Sequence, residues 1–364
     1  MSKQKNGKIE LLRFLFSIGV LIFHIQKYIS GEIIPKAGIH FSLFYYGSMG
    51  VEFFFIVSGF LMAASVYFAN AQQREIPLGN ATFQFIKNKF VSLIPMRLIV
   101  FVLLFVSTVF CNSWTIGTII KKLISCVPGF FLVQMSGLGV PYLNHIEWYL
   151  SAMLIGMFIL YPLLRKNFDV FSKIVAPLVS VLILGYMFKT YGRLTGVNAW
   201  DGLCYRPMLR SIAELSLGVV CFVICQHLKD MKLSGFQRLI FTCFEALCWI
   251  VVFAMMMLTL SRKYEFYMLI FIAIGVICSF SNLSYGTQLF NNKLCFYLGK
   301  LSLPIYLCQL IPLTLVPKCL GFLSIKEQTL VSFVATIALS AVVFHVSNAL
   351  SKIRRSNRTV CQTK

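Results

Sequence analysis

Arg13 and His24 are the first residues in the chain whose types and spacing could do chemistry. They lie within the apolar stretch LLRFLFSIGVLIFHIQKY, Leu11 to Tyr28, eleven positions apart. At about 100° per residue this spacing returns them to within roughly 20° of one helix face. At about 1.5 Å per residue their Cα atoms are roughly 16 Å apart, about half the hydrocarbon thickness of a bilayer. Ser17 falls on the same side. A guanidinium and an imidazole on one stripe are costly in lipid, so that stripe should face a protein interior or a wet cavity. A neutral imidazole there can exchange a proton or act as a nucleophile. The plainer reading is a snorkelling Arg13 and a hydrogen-bonded core His24.

Other polar groups interrupt later apolar runs. In GSMGVEFFFIVSGFLMA, Glu52 shares a face with Ser48 and Gly59, and Ser58 is a candidate for substrate contact. Glu52 is either a structural acid, neutral or paired with a base, or a catalytic one. FIKNKFVSLIP and Arg97 bring Lys87, Lys89 and Arg97 together as topological anchors or as a cradle for a phosphate-bearing donor. NHIEWYLSAMLIGMFILYPLL sets Asn144, His145 and Glu147 before Trp148, with Ser151 just after. Those groups could bind a polar substrate such as a sugar, and Glu147 is a second candidate acid. In YRPMLRSIAELSLG, Arg206, Arg210 and Glu214 follow i, i+4 spacing, so Arg210 and Glu214 can neutralise each other; Arg210 is also a candidate substrate contact. YLGKLSLPIYLCQLIP lines one face with Ser302, Tyr306 and Gln309 and loosens its backbone at Pro304, which suits a cavity wall with Tyr306 touching substrate. Glu245 has no functional reading, and His345 and Asn348 read as packing or hydrogen-bonding residues.

The elements that must position these groups are membrane helices. The chain is 58% hydrophobic and only 12% charged, against about a quarter charged in soluble domains. An all-α polytopic bundle of about ten transmembrane helices is expected, at 10–29, 46–69, 91–112, 146–164, 172–190, 208–228, 237–260, 264–282, 294–316 and 327–350. The piece 118–136 holds Lys121, Lys122 and a Pro128-Gly129 break, and reads as re-entrant or interfacial. Alternate connections, beginning with the N-terminal one, carry 19 of the lysines and arginines against 12 on the other side, which puts both termini in the cytoplasm. A single integral-membrane domain over 1–364 is expected, with basic tails at 1–9 and 352–364, no internal repeat and no fused soluble domain. Arg13 and the polar HIQKY argue against a cleaved signal peptide. The net charge of +21 sits in short clusters between apolar spans, which is a topology signal and not a nucleic-acid groove. None of the twelve cysteines forms a C-x-x-C pair or a zinc-like cluster, so no metal site is expected and they read as packing residues.

In order and spacing these segments resemble the membrane acyltransferases of the acyltransferase 3 family. The Arg-x10-His spacing of Arg13 and His24 matches that family's first-helix signature, and GVEFFFIVSGFLM its second-helix motif. WYLSAMLIGMFILYP looks like a variant of its Trp-containing motif, and LGKLSLPIYLCQ like its late Ser-to-Tyr-Leu motif. The resemblance implies transfer of an acyl group, usually acetyl, from a cytoplasmic acyl-coenzyme A to a hydroxyl of a surface or lipid-linked polysaccharide. It makes His24 the residue on which transfer depends and Arg13 its donor-side partner. Acyl-coenzyme A would be a donor substrate and not a permanently bound cofactor; the partners would be the glycan acceptor and membrane lipids, and the site a bacterial inner membrane. The chain departs from the family pattern in three places. Lys89 and Ser92 replace an Arg-x-x-Arg pair before Pro95, Met153 and Leu154 replace acidic residues after the Trp motif, and Gln309 replaces a His. The same polar interior could instead serve a transporter or flippase without covalent chemistry, or a scaffold within a glycan-synthesis complex.

Overall fold

The computed structural model describes residues 6–30, 42–72, 76–195, 199–202 and 204–362. Of the basic residues in the charge bias, Lys3, Lys5, Lys36, Arg74 and Lys364 lie outside them. The chain runs through α1 (Gly7–Ile25), α2 (Gly50–Ala71), α3 (Leu78–Asn112), α4 (Ile116–Phe130), α5 (Trp148–Lys166), α6 (Phe168–Val170), α7 (Ala176–Tyr191) and α8 (Arg206–Leu228). It continues through α9 (Gly235–Met256), α10 (Tyr264–Ser281), the short α11 (Thr287–Phe290), α12 (Lys293–Cys308), α13 (Leu310–Cys319) and α14 (Ile325–Gln362). Strands are confined, among the described residues, to a two-residue antiparallel ribbon pairing Trp200 with Tyr205. A π-helical turn, Phe171–Val175, joins α6 to α7 in one span.

Nine described helices are long and apolar enough to cross a bilayer, and α12 and α13, bent by 54° at their break, give a tenth crossing when taken as one span, as the sequence expects. This is an all-α multi-pass membrane bundle, and an even number of crossings returns the chain to the side where α1 begins. We call that face cytoplasmic, after the charge bias. Several boundaries move. α3 starts at Leu78 and not at 91, because the polar turns around Lys87 and Lys89 continue the helix beyond the membrane. At about 1.5 Å per residue it is roughly 52 Å long, well past a hydrocarbon core of about 30 Å. The ninth expected span is two helices, and the last extends to Gln362.

α2, α5, α8 and α10 are each more than half buried, while α3, α7, α9 and α14 turn most of their surface outward. α2 and α8 meet backbone to backbone: a Cβ on Gly59 would lie 2.1 Å from Leu215 O, and one on Gly218 2.2 Å from Ile56 O. That is the small-residue packing that holds membrane helices together where lipid offers no hydrophobic drive. The outward helices carry large apolar groups, such as Val106 and Phe110 on α3 and Val181 and Leu182 on α7.

α4 does not cross. It follows the outer end of α3, capped by Thr115, and its last carbonyls, Phe130 O and Gly129 O, accept from Arg97 at 2.8 and 3.4 Å. Arg97 lies fifteen residues before the end of α3, so α4 dips back roughly 22 Å, to about mid-membrane. Glu147 meets the same guanidinium from the start of α5, at 3.1 Å from Nε and 2.8 Å from Nη2. The irregular segment between Phe130 and Glu147 therefore leaves this level and returns to it. Ser151 pins it, accepting from Met135 N at 3.0 Å and donating to Leu132 O at 2.7 Å. Such backbone survives at membrane depth only when buried in protein or lining a cavity.

Candidate active site

A cavity of about 690 Å³ opens at the outer end of the bundle, lined by residues that include His24, Lys27, Ser48, Tyr142, His145, Trp148 and Tyr306. His24 is held there by the break between α12 and α13. Gln309, at the break, donates from Nε2 to Tyr306 O at 2.8 Å, and its Oε1 lies 3.1 Å from His24 Nδ1. Because the amide nitrogen is committed to a carbonyl, the oxygen must face the ring. Nδ1 therefore carries the proton and donates it, which leaves the Nε2 lone pair for substrate. The break itself frees carbonyls of the last turn of α12, and Asn144 Nδ2 caps a second one, Leu307 O, at 3.1 Å. Tyr306 crosses to the re-entrant segment, donating from its hydroxyl to Ile146 O at 2.5 Å.

Arg210 lies 5% exposed in the cavity wall. It donates from Nη2 to Glu52 Oε1, and from Nε to Glu214 Oε1 at 3.0 Å. Its guanidinium stands 5.0 Å from the Trp148 ring. Burying one cation against two carboxylates fixes α2 to α8 beneath the cavity floor, and Glu52 is fully enclosed. On the other wall Arg262 pairs with Glu265 at 3.0 Å. The same carboxylate accepts from Leu194 N at 2.6 Å, Thr195 N at 3.0 Å and Thr195 Oγ1 at 2.6 Å, tying down the outer loop. Arg206 lies over the Tyr191 ring at 3.9 Å. Nearby Asp201 accepts from the hydroxyls of Tyr186 and Tyr191, and those bonds, with the Arg206 charge, hold its carboxyl below the usual carboxylate range.

The sequence-derived candidates thus separate into groups. His24, Trp148, Arg210 and Tyr306 meet at one cavity, and His145 joins them. Glu52 and Glu147 are partners of Arg210 and Arg97, not cavity-facing acids. Arg97, 2% exposed, is committed to Glu147 and α4, apart from Lys87 and Lys89 on the cytoplasmic extension of α3. Ser58 lies 3.1 Å from the Tyr149 hydroxyl. Arg13 is at the cytoplasmic half of α1, 3.4 Å from Glu10, with its side chain one-third exposed. Gly299 explains that arrangement, because a Cβ there would lie 2.1 Å from Glu10 Oε2 and 2.9 Å from Glu10 Cα. Glu245 also gains an account: with Ser279 and Ser284 it receives Lys8, whose Nζ lies 2.9 Å from Oε2, as a buried ion pair where α1 begins.

Sequence reading did not single out Lys27, Arg193, Arg262 or Glu265. The first three are cavity-lining cations that had been weighed only as outer-side charges in the topology bias. Their position on the face where basic residues are scarce was the available signal.

The family described as "Acyltransferase domain", acyltransferase 3, matches residues 6–346. The chain belongs to the acyltransferase 3 family. No curated protein and no solved structure matches it. The match spans every group described above, and the chain is a membrane acyltransferase.

Proposed function

We propose that this acyltransferase moves an acyl group, acetyl above all, from a cytoplasmic acyl-coenzyme A to a hydroxyl of a cell-surface or lipid-linked polysaccharide, in a bacterial inner membrane. The observation that carries this reading is the His24–Gln309 contact at the outer cavity. That contact leaves the Nε2 lone pair of His24 uncommitted. As general base it takes the proton of the sugar hydroxyl while the oxygen attacks the thioester carbonyl. The carbon–sulfur bond breaks, and the thiolate leaves as coenzyme A after taking up a proton. As nucleophile, the same nitrogen would first hold the acyl group and then pass it to the hydroxyl.

Arg13 is suited to the donor, being on the cytoplasmic half of the same helix and only partly covered by Glu10. Lys87 and Lys89 supply point charges at the cytoplasmic end of α3 for the donor's phosphates. The roughly 16 Å between Arg13 and His24 along α1 asks the donor to reach inward, which an extended thioester arm permits. Glu52, Glu147 and Arg97 serve as positioning residues, holding Arg210, Trp148 and the re-entrant segment in place. Ser58 lies deeper, bonded to Tyr149, between donor and acceptor sides.

The test is His24→Ala in full-length protein, followed by coenzyme A release and acyl transfer in membranes. The variant should insert and fold yet lose roughly 10²–10⁴-fold in transfer rate. A fully active variant would overturn the mechanism. Mass analysis of the cell-surface polysaccharide from a deletion strain should show which acyl mass disappears.

A further inference from the structure

The cavity wall has a charge pattern that an acyl transfer to a neutral sugar does not require. Lys27, Arg193, Arg206, Arg210 and Arg262 all line it, and among the described residues no Asp or Glu does. Arg210 and Arg262 are answered from behind by Glu52, Glu214 and Glu265. Lys27, Arg193 and Arg206 make no ion pair among the described residues; Asp201, which feels the Arg206 charge, is already engaged by two tyrosines. Arg206 also keeps a buried Nε–H without an acceptor. Outer-face cations are what membrane proteins ordinarily avoid, so three around one cavity without an ion pair among the described residues point to an anionic ligand.

The backbone adds to the same sign of potential. α2, α5, α8 and α10 all begin at this end, and none has a side-chain cap on its first turn. Glu52 and Glu265 occupy the first turns of α2 and α10, and Glu147 precedes α5, so three of these positive ends are partly balanced. The first turn of α8 has no acid and enters the cavity as Arg206 and Pro207.

Resting on the transferase reading above, we propose that the acceptor carries an oxyanion, a phosphate or a carboxylate, held by Lys27, Arg193 and Arg206 so that a neighbouring hydroxyl lies at His24. The anion would fix register and orientation, and the hydroxyl would be selected by reach.

Purified full-length protein in detergent would be titrated calorimetrically with glucose 1-phosphate, glucuronate and methyl glucoside at low and high salt. At least one anion should bind about tenfold or more tightly than methyl glucoside, with the difference shrinking as salt rises. Preference for glucose 1-phosphate assigns a phosphate, and preference for glucuronate a carboxylate. The double variant Arg193→Gln/Arg206→Gln, checked for an unchanged thermal melt, should lose the preference. Neither anion bound better than methyl glucoside, or a double variant with the full preference, would overturn the proposal. Coenzyme A release from acetyl-coenzyme A by the same preparation reads the transfer reaction separately: anion preference without release sinks the transfer reading alone, and release without preference sinks this one alone.

Discussion

Gln309 has two jobs, capping a carbonyl freed by the α12–α13 break and setting the protonated nitrogen of His24. Gln309→Ala should therefore lower kcat roughly tenfold or more, as a misoriented general base would, while leaving KM for acetyl-coenzyme A near its original value. Gln309→Glu, which keeps an acceptor for Nδ1–H, should retain more activity than Gln309→Ala. Equal losses in the two variants would argue against the orienting role. Arg97 makes the opposite kind of prediction. It is buried, tied to Glu147 and two carbonyls, and far from the donor face, so Arg97→Ala leaves a buried carboxylate unpaired. The expected cost is about 3–5 kcal/mol of stability, read as a lowered melting temperature of the detergent-purified protein. The sequence offered Arg97 and Glu147 as separate candidates, for donor and acid. Their pairing spans fifty positions and a re-entrant segment, and helical periodicity carries no information across such a gap.

Helices were legible because apolar runs of membrane length announce themselves, and even α4 showed its failure to cross through Lys121, Lys122 and Pro128. Contacts between helices were not legible. Glu10 lies against Gly299 because α1 and α12 approach closely there, which neither segment states alone. Gly299→Ala should push Glu10 and its Arg13 contact aside, cost about 1–3 kcal/mol in overpacking, and raise KM for acetyl-coenzyme A. A melt and a donor titration on the same variant check both arms. At the α2–α8 crossing, Gly218→Ala meets no flexible side chain at closest range but the backbone of Ile56, Gly59 and Phe60. It should reduce the folded yield in membranes more than Gly299→Ala does, as measured by size-exclusion recovery.

At the scale of the molecule, the even number of crossings fixes which loops share a face. Cys204, exposed in the outer loop before α8, should react in intact cells with a membrane-impermeant thiol reagent when it is the sole cysteine. A sole cysteine introduced as Asn88→Cys, exposed on the cytoplasmic extension of α3, should react only after permeabilisation. Labelling of both from outside would refute the arrangement. The charge bias that gave this topology also concealed the site. Lys27, Arg193, Arg206, Arg210 and Arg262 are five of the twelve basic residues that weakened the bias, and the fold gathers them around one volume. A count of charges by side has no way to register that they converge.

The Arg210 triad has a consequence for biogenesis. α8 enters the bilayer with Arg206, Arg210 and Glu214 in its outer half, and a basic or acidic side chain at a helix centre costs about 2.5–3.5 kcal/mol on translocon scales. Arg210 is offset by two carboxylates, Glu214 on α8 itself and Glu52 on a helix synthesised well before it. α8 is thus a segment whose lateral release into lipid depends on an earlier segment waiting there. Glu52→Gln should leave the nascent chain with α8 partly untranslocated, so part of its loss of activity would arise at the ribosome-bound stage, before any substrate is met.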